Sequence, residues 1–84
     1  MELQKIFEES VTKSKSLPAQ SNDNLLELYG LYKQATEGEN LGDAPSNPFD
    51  FVGKAKFAAW EALSGLTKEV AKQKYVDLVK SLGA

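Results

Sequence analysis

Apolar and small residues recur at helical intervals along most of the chain. In the first segment this spacing predicts an amphipathic helix that ends before Pro18, with one face formed by Leu3, Ile6, Phe7, Ser10, Val11 and Ser14. A second helix is predicted from an N-cap at Ser21 or Asn22 to a stop at Gly38. Its stripe of mostly apolar residues consists of Leu25, Leu28, Tyr29, Tyr32, Ala35 and Thr36.

Two further helices are predicted in the second half of the chain. The third begins near Asp50 and is broken by Gly65. It has two adjacent stripes, one with Phe51, Ala55, Ala58 and Ala62, the other with Phe57, Trp60 and Leu63. The fourth is capped by Thr67 and has a face formed by Ala71, Tyr75, Leu78 and Leu82. Because no segment alternates with a period of two, the chain is predicted to be all α.

Residues 38–50 form the one long predicted loop, with breakers at Gly38, Gly42, Pro45 and Pro48. Short connections make successive helices antiparallel. A loop of 13 residues can instead span about 40 Å, which exceeds the roughly 24 Å length of the second helix. The second and third helices can therefore run parallel to each other.

The composition excludes several classes of function. The 84 residues predict a single domain, 1–84, and include no cysteine and no histidine. A disulfide framework, a cysteine nucleophile and the usual zinc ligands are therefore missing, and we expect neither a metal nor a cofactor. Because no nucleophile is paired with a base in the sequence, we do not expect an enzyme.

The charge pattern and the apolar runs restrict partners and location. The net charge is −2 and all ten basic residues are lysine, which argues against nucleic-acid binding. No apolar run approaches the roughly 20 residues of a membrane span, so no stable membrane insertion is expected. The N-terminus does not resemble a secretory signal. We therefore expect a cytoplasmic protein, and nothing requires more than a monomer.

Tyrosines and lysines form the candidate binding residues. Tyr29, Tyr32 and Lys33 lie within little more than one turn of the second helix, and Lys56 and Tyr75 belong to the third and fourth helices. If these residues converge, their rings and ammonium groups suit a phosphorylated aromatic ligand such as an adenine nucleotide. The spacing is equally consistent with partly buried core tyrosines and a solvated lysine surface, and the residues alone leave both interpretations open.

Three stretches of the chain carry specific motifs: Tyr-x-x-Tyr-Lys-Gln-Ala-Thr-x-Gly at 29–38, Asp-Phe-x-Gly-Lys-Ala-Lys-x-x-Ala-Trp at 50–60, and Lys68-Glu69 followed by Tyr75-Val76. Together they resemble the acyl-CoA-binding protein family. The resemblance covers nearly the whole chain and implies a four-helix up-down-down-up bundle. It implies non-catalytic binding and intracellular transport or buffering of medium- to long-chain fatty acyl-CoA thioesters. It also implies transient contacts with enzymes that use acyl-CoA. The alternative is a helical protein-interaction module without a small-molecule ligand.

The resemblance also implies the roles of individual residues. Residues that match the family's CoA head-group site are Tyr29, Tyr32, Lys33, Lys56 and Tyr75, and those that match its acyl-chain groove are Leu25, Leu26 and Ala55. Phe57 stands where the family usually has tryptophan. Lys13 and Lys15 lie near the basic residues that the family places late in the first helix, but they do not align with them.

Overall fold

The computed structural model describes residues 2–40, 42 and 46–83. Its elements are four helices: α1 (Glu2–Ser14), α2 (Asn22–Glu37), α3 (Phe51–Glu61) and α4 (Lys68–Ser81). Within these ranges there is no strand, so the all-α prediction is confirmed. The predicted breaker Pro45 lies outside the described residues. None of the helices, over the residues described, is long and apolar enough to cross a membrane.

Side-chain caps begin three helices where the sequence predicts them. Ser21, rather than Asn22, caps α2, and its hydroxyl accepts a hydrogen bond from the backbone N–H of Asn24 at 3.2 Å. Asp50 and Thr67 cap α3 and α4 in the same way. Gly38 ends α2 at φ 83°, a conformation that favours glycine.

The third helix ends earlier than the sequence predicts. Its last residue is Glu61 and Ala62 forms the C-cap, so the chain leaves the helix before the predicted breaker, Gly65. Residues 62–65 continue as turns, and Gly65 adopts φ 96°.

Contacts along α2 and α3 show that these two helices run parallel. Leu25 and Val52 line one cavity near the start of both helices. At the other end, the indole N–H of Trp60 donates to the carbonyl oxygen of Gly38 at 2.9 Å. Between them, a Cβ on Gly30 would lie 2.8 Å from the backbone oxygen of Ala59, so glycine permits this close approach.

The fourth helix completes the bundle. It runs antiparallel to α2, since the Tyr32 and Tyr75 rings are neighbours and the Gly38 end of α2 lies beside Lys68. It runs parallel to α1, since Leu3 shares a surface depression with Glu69 near the start of both helices and Thr12 shares another with Gly83 near their ends. The predicted up-down-down-up topology is therefore confirmed.

The core lies between α1, α2 and α4. Its buried apolar members are Phe7, Leu28, Leu31, Ala35, Ala71, Tyr75, Val76 and Val79. The predicted stripe of α2 is partly wrong, because α2 is covered by α3 and by α4 from two directions. As a result, Leu31 and Gln34 are buried while Leu25 is exposed.

The predicted faces of the other helices differ from the structure in smaller ways. In α4, Val76 and Val79 are buried beside Ala71 and Tyr75, whereas Leu78 packs at the margin of the core. In α3 no residue is buried, and Phe51 is 72% exposed. The third helix contacts only α2, so most of its apolar surface has no helix to cover it.

A polar network around the buried side chain of Gln34 ties the end of α2 to the end of α3. The Gln34 side chain is fully buried and its amide group donates to the carbonyl oxygen of Leu66 at 2.8 Å and to a Glu39 carboxylate oxygen at 2.6 Å. Its amide oxygen accepts a hydrogen bond from the Trp60 indole at 3.1 Å. Glu39 also accepts from the backbone N–H of Gly65. Each buried polar group of Gln34 thus has a partner, which permits its burial.

Candidate functional site

An aromatic cluster between α1, α2 and α4 supports Tyr32. Phe7 stacks on Tyr32 with ring centroids 6.1 Å apart, and Tyr75 packs edge-on against Phe7 at 5.2 Å. The Tyr75 side chain is 4% exposed, and its hydroxyl donates to the hydroxyl of Ser14 at 3.1 Å. Tyr32 is 40% exposed, so part of its ring faces solvent while Phe7 and Tyr75 support it from within.

Lys33 places an ammonium group beside these rings. Its Nζ lies 5.1 Å from the centroid of the Trp60 ring and donates a hydrogen bond to the carboxylate of Glu37. The hydrogen bond that Lys33 donates to Glu37 raises the pKa of Lys33, although burial acts in the opposite direction. Lys33 is therefore a fixed cation at neutral pH, held where an anionic ligand can reach it.

Lys56 joins the surface of α2 to that of α3. Its ammonium group lies 5.2 Å from the centroid of the Tyr29 ring. Tyr29 is half-buried and lies one helical turn before Lys33. Among the five predicted head-group residues, direct contacts join Lys56 to Tyr29 and Tyr32 to Tyr75. They differ in access, since Tyr75 is buried and the others reach the surface.

Two other lysines point elsewhere. Lys13 lines a separate depression that it shares with Leu17 and Gly83. The Lys54 ammonium group lies 3.5 Å from the carbonyl oxygen of Pro48, in the segment that precedes α3. The structure therefore associates Lys56, rather than Lys54, with the tyrosines.

An apolar cavity of about 330 Å³ opens between the first turns of α2 and α3. It is lined by Asn22, Leu25, Leu26, Phe51, Val52, Ala55 and Lys56. All three residues predicted for an acyl-chain groove, Leu25, Leu26 and Ala55, are among them. We call the surface formed by Tyr29, Tyr32, Lys33 and Lys56 the lysine–tyrosine surface. Because Lys56 lines this cavity and also lies over Tyr29, the cavity adjoins that surface. Three of the cavity's lining side chains, Leu25, Phe51 and Val52, are large, apolar and exposed.

Several residues near the site were not predicted as part of it. Phe51 was predicted to share a stripe of the third helix with Ala55 and was given no role, yet it is exposed and lines the cavity. Its spacing of four residues from Ala55 was the available signal. Glu37 was likewise visible as a residue four positions after Lys33. Phe7 gave no signal, because its contact with Tyr32 joins different helices.

A larger depression lies on the other side of α2. It has a volume of about 660 Å³ and is lined in part by Glu27, Leu31, Lys74 and Leu78. At 100° per residue, Glu27 and Leu31 lie on the face of α2 opposite Tyr29 and Lys33. Over the described part of the chain, no three carboxylates are close enough together to hold a metal ion.

Comparison with known proteins gives consistent matches. A family model described as acyl CoA binding protein matches residues 4–79. Acyl-CoA-binding protein homolog 1 of Caenorhabditis elegans is 46% identical over 77 residues, which are 90% of this chain and 88% of that protein. Enoyl-CoA delta isomerase 2 of Rattus norvegicus is 50% identical over 82 residues, 96% of this chain. This chain spans only about a fifth of that isomerase, and of its human counterpart.

A solved structure shows the same arrangement of helices. The crystal structure of acyl-CoA-binding protein 2 of Oryza sativa superposes with a TM-score of 0.91 at 44% identity, covering 95% of this chain and 89% of that one. The family model, the relatives that this chain spans almost completely and the shared fold agree with each other. This chain belongs to the acyl-CoA-binding protein family.

Proposed function

We propose that this chain binds medium- to long-chain fatty acyl-CoA thioesters without changing them, and thereby transports or buffers them in the cell. The observation that carries the proposal is the apolar cavity beside the lysine–tyrosine surface, with Lys56 common to both. A ligand with a polyanionic nucleotide at one end and an alkyl chain at the other matches both halves. Membership of the family supports the same ligand class.

The head group is assigned to the residues of α2 and α3 that reach the surface. Lys33 and Lys56 neutralise phosphate charges, and Tyr29 and Tyr32 offer ring faces for the adenine. Stacking of a base on an aromatic ring contributes about 1–3 kcal/mol. Tyr75 is buried and its hydroxyl is hydrogen-bonded to Ser14. We therefore propose that Tyr75 supports the ring of Tyr32 rather than contacting the ligand.

The acyl chain is assigned to the cavity lined by Leu25, Leu26 and Ala55. Burying one methylene is worth about 0.8 kcal/mol, so some 14 methylenes offer at most about 11 kcal/mol before ordering costs. Nanomolar affinity corresponds to about −12 kcal/mol. Head group and tail therefore both have to contribute to tight binding.

Binding affinity across a series of acyl-chain lengths tests this division. Calorimetry with CoA and with acyl-CoAs of increasing length should show affinity that rises with each methylene and reaches a plateau where the cavity ends. Equal affinity for CoA and palmitoyl-CoA would contradict the role of the cavity.

We further propose a cytoplasmic monomer with transient contacts to acyl-CoA-using enzymes, which sedimentation with and without ligand would examine.

We also propose that no chemistry accompanies binding and that no cofactor other than the acyl-CoA ligand is involved. Around the site, the described residues offer lysines and phenols but no nucleophile held by a base. Incubation with palmitoyl-CoA should release no free thiol, and thiol release above the rate in buffer would contradict this.

An interaction module without a ligand is not favoured, since it requires neither ammonium groups nor phenols beside an apolar cavity.

A further inference from the structure

Glu37, the last residue of α2, pairs with Lys33 one helical turn earlier. Its carboxylate accepts a hydrogen bond from the ammonium group of Lys33, which is also held over the Trp60 ring. The carboxylate thus occupies the position that an external anion would take at this cation. A phosphate that approaches Lys33 meets a site that is already filled.

The fold of α2 gains little from a carboxylate at this position. The C-terminus of a helix carries partial negative charge, and α2 has no basic residue in its last turn to offset Glu37. Lysine followed by glutamate four positions later is also the weaker order for a helical ion pair. Among the residues described, Lys33 is the one hydrogen-bonding partner of the Glu37 side chain. Glu39, by contrast, links Gln34 to Gly65. The pairing of Glu37 with Lys33 therefore needs another explanation.

We propose that Glu37 determines specificity as an internal competitor: it holds Lys33 in the free protein and is displaced by a phosphate of the bound CoA. This inference rests on the proposed function. A single carboxylate competes well against singly charged anions, but a phosphate monoester carries about −1.5 to −2 charges at pH 7 and attracts the ammonium group more strongly. Glu37 therefore keeps Lys33 oriented and reserves it for strongly charged ligands.

The variant Glu37→Gln tests the proposal, because it keeps the size and helix propensity of the side chain and removes its charge. Calorimetry should show CoA and palmitoyl-CoA binding tighter by about 1.5- to 5-fold, the range that measured exposed ion pairs correspond to. In a Lys33→Ala background the same change should give a smaller gain, because the competition has been removed. Glu27→Gln, on the opposite face of α2, is the matched control and should bind as the wild type does.

Provided that the wild type binds CoA, three results would overturn the proposal. They are unchanged or weaker binding by Glu37→Gln, an equal gain in Glu27→Gln, and a gain of the same size with and without Lys33. The second of these would assign the effect to the net charge of the protein, and the third to simple repulsion of the ligand. A wild type that binds neither CoA nor palmitoyl-CoA would instead refute the proposed function, and this inference with it. Thermal melting of each variant verifies that its fold is intact.

Discussion

Individual side chains at the proposed site are held in place by contacts within the protein. The ring of Tyr32 packs against Phe7 and Tyr75, and the Tyr75 hydroxyl is itself hydrogen-bonded to Ser14. Lys33 lies over Trp60. A ligand that meets positioned rings and a positioned cation loses less affinity to side-chain ordering.

Lys33→Ala tests the assignment of the head-group cation. The loss of one charged hydrogen bond should weaken binding of CoA and of all acyl-CoAs by about 1.5–3 kcal/mol in calorimetry. Lys74→Ala removes the same charge beside the depression on the other side of α2, and should bind normally. The resemblance to the family implies that Lys33 contacts the 3′-phosphate of CoA, so wild type and Lys33→Ala should bind dephospho-CoA, which lacks this phosphate, nearly equally. An undiminished loss with that ligand would show that Lys33 does not contact the 3′-phosphate.

Glu39→Gln tests the network at the end of α2 through its dependence on pH. Two hydrogen bonds to the carboxylate of Glu39 lower its pKa. The larger effect comes from the side chain of Gln34 and the smaller from the backbone N–H of Gly65. A carboxyl whose pKa is lower in the folded state stabilises the fold above its unfolded pKa, and loses this contribution as the pH falls through the folded value. In urea unfolding, the variant should be less stable than the wild type at pH 7 and should approach it in acid. A constant difference at every pH would contradict this role.

Among the elements, α2 has the most demanding position. It packs against α3 and α4 at once, and also presents the proposed ligand surface. A single amphipathic stripe cannot describe a helix with several occupied faces. This explains why Leu31 and Gln34 are buried although the predicted stripe omitted them. The third helix packs against α2, and at its start Phe51 and Val52 remain largely exposed.

Replacement of Trp60 tests how α3 is attached to α2. Trp60→Phe removes the hydrogen bonds to Gln34 and Gly38 and leaves the buried Gln34 oxygen without its indole partner. We expect a loss of about 1–3 kcal/mol in the free energy of unfolding. Trp60→Ala should lower the melting temperature further, because ring packing is lost as well. Unchanged melting of both variants would show that Trp60 does not hold the helices together.

The whole molecule is a small bundle with two separate apolar regions. The buried core joins α1, α2 and α4, whereas the space between the first turns of α2 and α3 is an open apolar cavity. An 84-residue chain has little stability to spare. A ligand that fills the cavity and neutralises the lysines should therefore stabilise the entire fold.

Ligand-induced stabilisation gives a test on the intact chain. Palmitoyl-CoA at 100 times its dissociation constant should add about 2.7 kcal/mol of stability. For a domain of this size each kcal/mol corresponds to about 4–8 °C in melting temperature, so calorimetric melting should shift upward by more than about 10 °C. Free palmitate should give a much smaller shift, since it lacks the nucleotide. A shift of equal size with palmitate would contradict the two-part site.

Local interactions explain why so much of the fold was predictable. Ser21, Asp50, Gly38 and Thr67 act on backbone groups within a few residues of themselves, and the structure has each of them at the helix end where the sequence predicts it. The motifs around Tyr29 and Lys56 likewise predicted the family, which the comparisons confirm. The roles of the individual site residues stay predictions.

Helix identity, helix limits within a few residues and family membership could thus be read from the printed chain, because they depend on neighbouring positions. Packing in three dimensions was needed to find which faces are buried, that Tyr75 lies beneath Tyr32, and that Lys33 lies over Trp60. The two contacts join residues that are distant in the sequence, since Tyr32 and Tyr75 are 43 positions apart and Lys33 and Trp60 are 27 positions apart. Such contacts depend on how the helices are placed against one another, and the periodicity of a single helix carries no information about its neighbours.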